Sequence, residues 1–199
     1  MSSDSTPVHL TDVEGIVTGT QAAPLSVASV GLSFAQLPHV HKFGLVRSVS
    51  TAFTSVREGL SAGTLYSYPG AAVELEVVSA GADTAVITVE GLDDNYDAVT
   101  GAATLNGTTP ATVSGGAQFR RIFRAYVTGS TPIANTVTIR TISAGQTHGV
   151  IMADYQQSNI ASYTIPNGFT GTLPGAHIGF GRNEDAEVVP VVRAPGGVF

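Results

Sequence analysis

Residues 71–105 read AAVELEVVSAGADTAVITVEGLDDNYDAVTGAATL, and the order of side chains in this stretch decides the fold. Val73, Leu75 and Val77 alternate with Glu74, Glu76 and Val78. Successive side chains of a strand point to opposite faces, so the run predicts a strand with one side on a core and the other mostly wet. Ala85–Glu90, AVITVE, repeats the signal after the turn SAGAD, and the two segments are expected to be hairpin neighbours. The turn at 91–97, GLDDNYD, is dense in Asp and Asn, whose short side chains bond their own backbone and tolerate tight conformations. Val99–Leu105 continues as a strand, and Asn106-Gly107 supplies the favoured pair for a two-residue hairpin loop.

Towards the C-terminus the same texture continues. Phe119–Val127, Thr136–Ile142, Gly149–Ala153, Ile160–Ile165, Ala176–Phe180 and Ala186–Val192 are short extended pieces separated by Gly, Pro, Asn or Ser. Many short strands with no long helical pattern between them predict an all-β fold, an antiparallel sandwich or barrel. The C-terminal RAPGGVF ends on Phe199, which is awkward in water and is a candidate to dock on a neighbour.

Towards the N-terminus the pattern weakens. Residues 9–37 are rich in Gly, Ala, Ser, Thr and Val with no sustained helical period; an extended arm lying on a partner and a short edge strand with loops are the two readings. Residues 39–70 hold more aromatics and three of the nine basic residues. Val49, Phe53 and Val56 would line one face of a helical turn, although the Ser and Thr content suits loops equally. The expected division is residues 1–70 as an N-terminal arm with accessory strands and residues 71–199 as the core sandwich.

Composition narrows the function. Hydrophobic residues make up 43% of the 199, and charged residues only 12%, where an ordinary soluble domain has about a quarter. Such a surface suits a protein covered by neighbours. The net charge is −6 and no basic block occurs, so nucleic acid is not an expected partner, since backbone binding needs clustered positive charge. No cysteine is present, which removes disulfides, thiolate nucleophiles and cysteine-ligated zinc. The start, MSSDSTPVHL, has neither the basic nor the apolar region of a secretory signal, and no run is long enough to cross a bilayer; the expectation is synthesis in the cytoplasm and no membrane partner.

Candidate sites are few. His39 and His41, two apart, would share a strand face as metal ligands, but no third ligand is near. Glu90 with Asp93, Asp94, Asn95 and Asp97 has the oxygen density calcium favours, yet lacks the sixth-position Gly and closing Glu of an EF-hand loop. No metal or other cofactor is expected. Arg120, Arg121 and Arg124 form the one local basic cluster; in a regular strand Arg120 and Arg124 share a face, and a contact between subunits or a solvated face are the two readings. Tyr66, Tyr68 and Tyr96 are the only clustered aromatics available to a sugar. No Gly-x-Ser-x-Gly elbow, His-Glu-x-x-His helix or phosphate loop occurs, so no catalytic residue is assigned and an enzyme is not expected.

The segments KFG at 42–44, LYSYPG at 65–70, VEGLDDNYDAVTGAATLNGTTP at 89–110, RIFRAYV at 121–127 and SYTIPNGFTGTL at 162–173 resemble a family of small virion proteins from tailed phages, especially marine ones. The resemblance implies a jelly-roll-like β-sandwich on the phage particle. The role it implies is capsid decoration or cement, or else a head or tail accessory. The implied partners are the major capsid protein and further copies of the chain, as a homotrimer anchored by the N-terminal arm. Gly91, Leu92, Asp93, Asn95, Tyr96, Asn106 and Gly107 are the matching positions and are expected to build turns. The chain departs from the family between Asp154 and Ile160, where it has YQQSN: the family's usual run GQ(S/T)LMAxYT is broken up, with Gly145-Gln146-Thr147 preceding Met152 by several residues. A carbohydrate-binding or host-recognition module at a tail tip is the second hypothesis.

Overall fold

Val, Ile and Thr crowd the segments that become strands, and the backbone pairs them antiparallel throughout. The computed structural model describes residues 40, 42–47, 52–153 and 155–171. The readings for residues 9–37, His39, His41, Val49, the expected strands at 176–180 and 186–192, and Phe199 lie outside the described residues. Among those described there is no helix, and Phe53 and Val56, candidates for a helical face, are exposed on irregular chain. The fold is all-β.

Among the described residues, eight strands form two sheets. β1 (Val73–Ser79), β4 (Ala111–Thr112), β5 (Gln118–Phe119), β7 (Val137–Thr141) and β8 (Thr147–Ile151) make one, in the order β4-β1-β7-β8, with β5 also on β1. The other is β3 (Ala98–Thr104), β2 (Val86–Leu92) and β6 (Arg121–Thr128), in the order β3-β2-β6. One hydrophobic cluster draws on both: Leu75, Val77, Val137, Ile139 and Ile151 from the first sheet, Ile87, Val89, Ala103, Ile122 and Ala125 from the second, with Phe119 wholly buried among them. Burying Val, Leu, Ile or Phe contributes about 1.5–3 kcal/mol per side chain, which is why the alternating runs hold as strands.

The alternation named the inward faces correctly but not the strand neighbours. β1 and β2 are not a hairpin, because the loop after Ser79 carries the chain from one sheet to the other. Asp83 fixes that crossing. Its carboxylate accepts from the Ser79 hydroxyl (2.6 Å) and from the backbone N–H of Ala134 (2.9 Å) and Asn135 (3.2 Å), and its carbonyl accepts from Gly107 N–H (3.0 Å). Three connections therefore meet at one buried residue, two through its carboxylate and one through its carbonyl. Asn106-Gly107 likewise turns the chain between sheets, from β3 to β4, with a bridge closing Asn106 on Thr109 and Gly107 at φ 59°. The true hairpin of this region is β2–β3, closed by the Asp-rich turn.

Residues 111–119 run along one edge of β1 with an excursion at 113–117. Val113 and Ala117 are buried in the core, and Ser114 donates through its N–H (2.8 Å) and hydroxyl (2.7 Å) to the carbonyl of Ala102 on β3. The expected single strand at 119–127 is split: Phe119 pairs with β1, Arg121 with β2, and the chain changes sheets at Arg120. Ile160–Ile165 is not a strand; only Ile160 pairs, with Arg57.

Candidate functional site

Arg57 occupies the gap between the two sheets. Its guanidinium donates to the carbonyls of His148 on β8 and Ile122 on β6 (3.4 Å) and to the Ser162 hydroxyl (2.9 Å), and its centre lies 3.7 Å from the ring centroid of Tyr66. It thus joins a carbonyl of one sheet to a carbonyl of the other. No carboxylate pairs with it among the described residues. Oxygen acceptors and the negative face of a desolvated ring, an interaction of about 2 kcal/mol, offset the loss of water instead. Tyr66 in turn packs edge-on to Tyr68 (4.9 Å) and hydrogen-bonds Nδ1 of His148 (2.6 Å), whose Nε2 meets the Thr141 hydroxyl (2.8 Å).

This cluster titrates abnormally. Burial, reinforced by the charge of Arg57, lowers the His148 pKa to about 4. Burial raises the Tyr66 phenol to about 12 and lowers the Arg57 guanidinium from its usual value. His148 is therefore a neutral imidazole with both nitrogens engaged and 0% of its surface exposed, a position from which it cannot meet a substrate. Its chemistry here is hydrogen bonding between a phenol and a hydroxyl.

The chain around Arg57 pairs with a late segment. Glu58 N–H donates to the Asn159 carbonyl (3.0 Å) and Ala161 N–H to the Val56 carbonyl (3.1 Å), while Val127 N–H donates to Gln156 (2.8 Å) and Ser158 N–H to Ala125 (2.8 Å). Residues 156–161 thus run between β6 and residues 55–58. The buried Glu58 carboxylate is met by Arg47 (2.8 Å) and by the Asn159 amide (2.6 Å). Gly44 packs so close to Ala161 and Val56 that a Cβ there would overlap both. The described residues of the two flanks, 40–65 and 155–171, thus pack on each other at Gly44, Arg47, residues 56–58 and residues 159–161.

Among the described residues, Val40, Phe43, Phe53, Val56, Leu65, Tyr155, Tyr163, Ile165 and Phe169 are the exposed large hydrophobic residues, Phe43 at 67% and Phe169 at 69%; all lie in the two flanks and none in a strand. Scattered exposed apolar residues are ordinary; confinement to two flanks packed on each other is the informative feature.

The arginine cluster is divided by the fold. Arg120 pairs with Asp94 (2.9 Å), buried Arg121 stacks on Tyr68 (4.4 Å) and Tyr96 (5.3 Å), and exposed Arg124 lies over Tyr126 (4.3 Å) and donates to the Gln157 side chain (2.9 Å). The register slips opposite Glu90 and Gly91, so the core residues Ile122 and Ala125 are three apart and the expected alternation of the arginines is broken. Arg121 also covers faces of two of the three tyrosines considered for sugar stacking, and Arg57 covers the third. In the Asp-rich turn, Asp93 Oδ1 accepts from Asn95 N–H (2.8 Å) and Asp97 N–H (3.0 Å), with Tyr96 at φ 63°. Among the described residues no group of three His, Asp or Glu is placed to hold a metal. Gly91 lies inside β2, not in the turn.

Sequence reasoning missed Arg57, His148 and Lys42, and it named Tyr66 only as a surface for a sugar, whereas the ring is buried against Arg57 and His148. Arg57 and His148 stand 91 residues apart, and no local pattern links them. No helix of the described residues is long and apolar enough to cross a membrane. Compared with known protein families, with curated proteins and with solved structures, the chain matches none.

Proposed function

We propose that this chain is a non-catalytic building block of a larger protein assembly, docked through the apolar surface of its two flanks. The observation that carries the reading is that, among the described residues, the exposed large hydrophobic side chains all fall within residues 40–65 and 155–171. The sparse charge of the whole sequence, 12%, agrees with an outside that neighbours cover. The fully engaged His148 offers no general base, which favours structure over catalysis. We read the two sheets and their shared core as a β-sandwich.

The particular assembly follows from the resemblance of the 42–44, 65–70, 89–110, 121–127 and 162–173 segments to phage virion proteins. On that ground the chain is a decoration or cement subunit on a tailed-phage capsid, self-associating as a trimer and bound to the major capsid protein. A role in the neck, tail or fibre is the alternative.

Imaging the purified virion at near-atomic resolution tests both. Density for the chain at local three-fold or bridging positions of the shell is expected. Density confined to neck, tail or fibre would move the protein to the accessory role, and absence from the particle would overturn the virion assignment.

A further inference from the structure

Beside the apolar surface lies a pocket of about 200 Å³ lined by Lys42, Phe43, Arg124, Gln157 and Ser158. Its polar groups are donors with capacity left over. Lys42 Nζ carries three N–H groups and gives one to the Phe123 carbonyl (2.5 Å). The oxygen of the Gln157 amide accepts from Arg124, which leaves the amide NH2 free to donate. Ser158 Oγ accepts from Ala125 N–H (2.9 Å), so its own O–H is free to donate too. Neither Lys42 nor Arg124 has an ion-pair partner among the described residues.

A lining of unspent donors with unpaired positive charge calls for an anionic acceptor. Size and charge narrow it further. Drug-sized ligands need roughly 300–1,000 Å³, so this pocket takes a group the size of one side chain. Glu90 stands directly opposite Arg124 across β2 and β6 and offsets one of the two positive charges, which matches a monoanion better than a phosphate dianion. Phe43, on the pocket wall, is exposed. An apolar side chain beside a charged seat helps to shield a docked group from water.

We propose that this pocket receives the carboxylate of an Asp or Glu side chain presented by a docking protein chain. The inference rests on the assembly reading above and specifies the chemistry of the partner. Lys42 and Arg124 supply the charge, Gln157 and Ser158 orient the two carboxylate oxygens, and Phe43 covers the stem.

The test is a titration of the full chain, followed by NMR of the Lys42, Gln157 and Ser158 signals, with capped tripeptides Gly-Glu-Gly and Gly-Gln-Gly, with inorganic phosphate and with N-acetylneuraminic acid. The Glu peptide is expected to bind at least about tenfold tighter than the Gln peptide, the scale of a hydrogen bond to a charged group. Lys42→Met and Arg124→Gln should each remove that preference, while Lys42→Arg, which keeps the charge, should retain most of it; an unchanged far-ultraviolet circular dichroism spectrum checks that the variants fold. Equal binding of the Glu and Gln peptides would overturn the proposal, as would tighter binding of phosphate or of the sugar acid. Sedimentation of the same protein without peptide reports self-association separately, so a monomeric protein that still prefers the Glu peptide would count against the homotrimer and leave the carboxylate seat standing.

Discussion

His148 couples the buried cluster to pH. Its pKa is about 4 in the folded chain against an ordinary 6.5. Between those values the unfolded chain binds more protons, so stability is full above pH 6.5 and falls as the pH drops towards 4. A shift of this size corresponds to about 3 kcal/mol. Urea unfolding at pH 7, 5.5 and 4 should show that loss, and His148→Gln, which cannot protonate, should flatten the curve over the same interval; an unchanged slope in the variant would mean that another group carries it. The carboxylates respond lower. Burial works against the charged forms of Glu76 and Asp83, but the N–H groups of Ala144 and Ala134, with Arg140 and Ser79, outweigh it and hold both below the usual carboxylate range. Their contribution is lost only as the pH falls through those depressed values. Glu76 also shows where alternation misleads: it stands on the face expected to be wet, yet it is buried, because Arg140 (2.6 Å) and the turn at Ser143 and Ala144 close over it. Nothing beside it in sequence announces those partners, which lie more than sixty residues away.

Gly91 is an element-scale requirement. A Cβ there would overlap the Arg121 carbonyl oxygen and fall 2.9 Å from the Phe119 ring, at the point where β2 and β6 slip register. Gly91→Ala should therefore cost on the order of 3 kcal/mol, since the colliding atom is backbone and cannot turn aside. Gly70→Ala, with nothing within 4 Å of the added carbon, should stay close to wild type; equal urea midpoints for the two variants would refute the close approach. The same region marks the limit of what the sequence discloses about elements. Inward residues of β1 and β2 are legible because a buried face imposes a period of two. Pairing is not, because period two is the same whether the next strand lies alongside or across the core. Hence the 119–127 run reads as one strand although Arg120 is a corner, and the bulge that displaces the arginines leaves no trace in residue order. The turn at 93–97 was legible because Asp93 caps its own backbone, an interaction local in sequence.

At the scale of the whole molecule, the strands bury most of their apolar residues, whereas the flanks bury Ile160 but leave nine large hydrophobic side chains exposed among the described residues. A protein of low charge that keeps Phe43 and Phe169 in water gains by covering them, and each buried phenyl is worth about 1.5–3 kcal/mol. Specific interfaces bury about 800 Å² on each partner, an area that several such side chains together with their polar rim can supply. If the flanks join copies of the chain, the wild-type protein should sediment as an oligomer at micromolar concentration, with a trimer as the expected species. Phe43→Ser combined with Phe169→Ser should shift it to monomer while moving the urea midpoint little, because neither ring contributes to the core. A loss of folding stability equal to the loss of association would show that the rings hold the subunit together instead. A wild-type protein that stays monomeric at every concentration would rule out this surface as a self-interface, and the same residues would then be the face presented to a different protein. The N-terminal flank is visible in residue order, where strict alternation is absent before residue 71; the C-terminal flank is not, because residues 160–165 read as a strand although only Ile160 pairs.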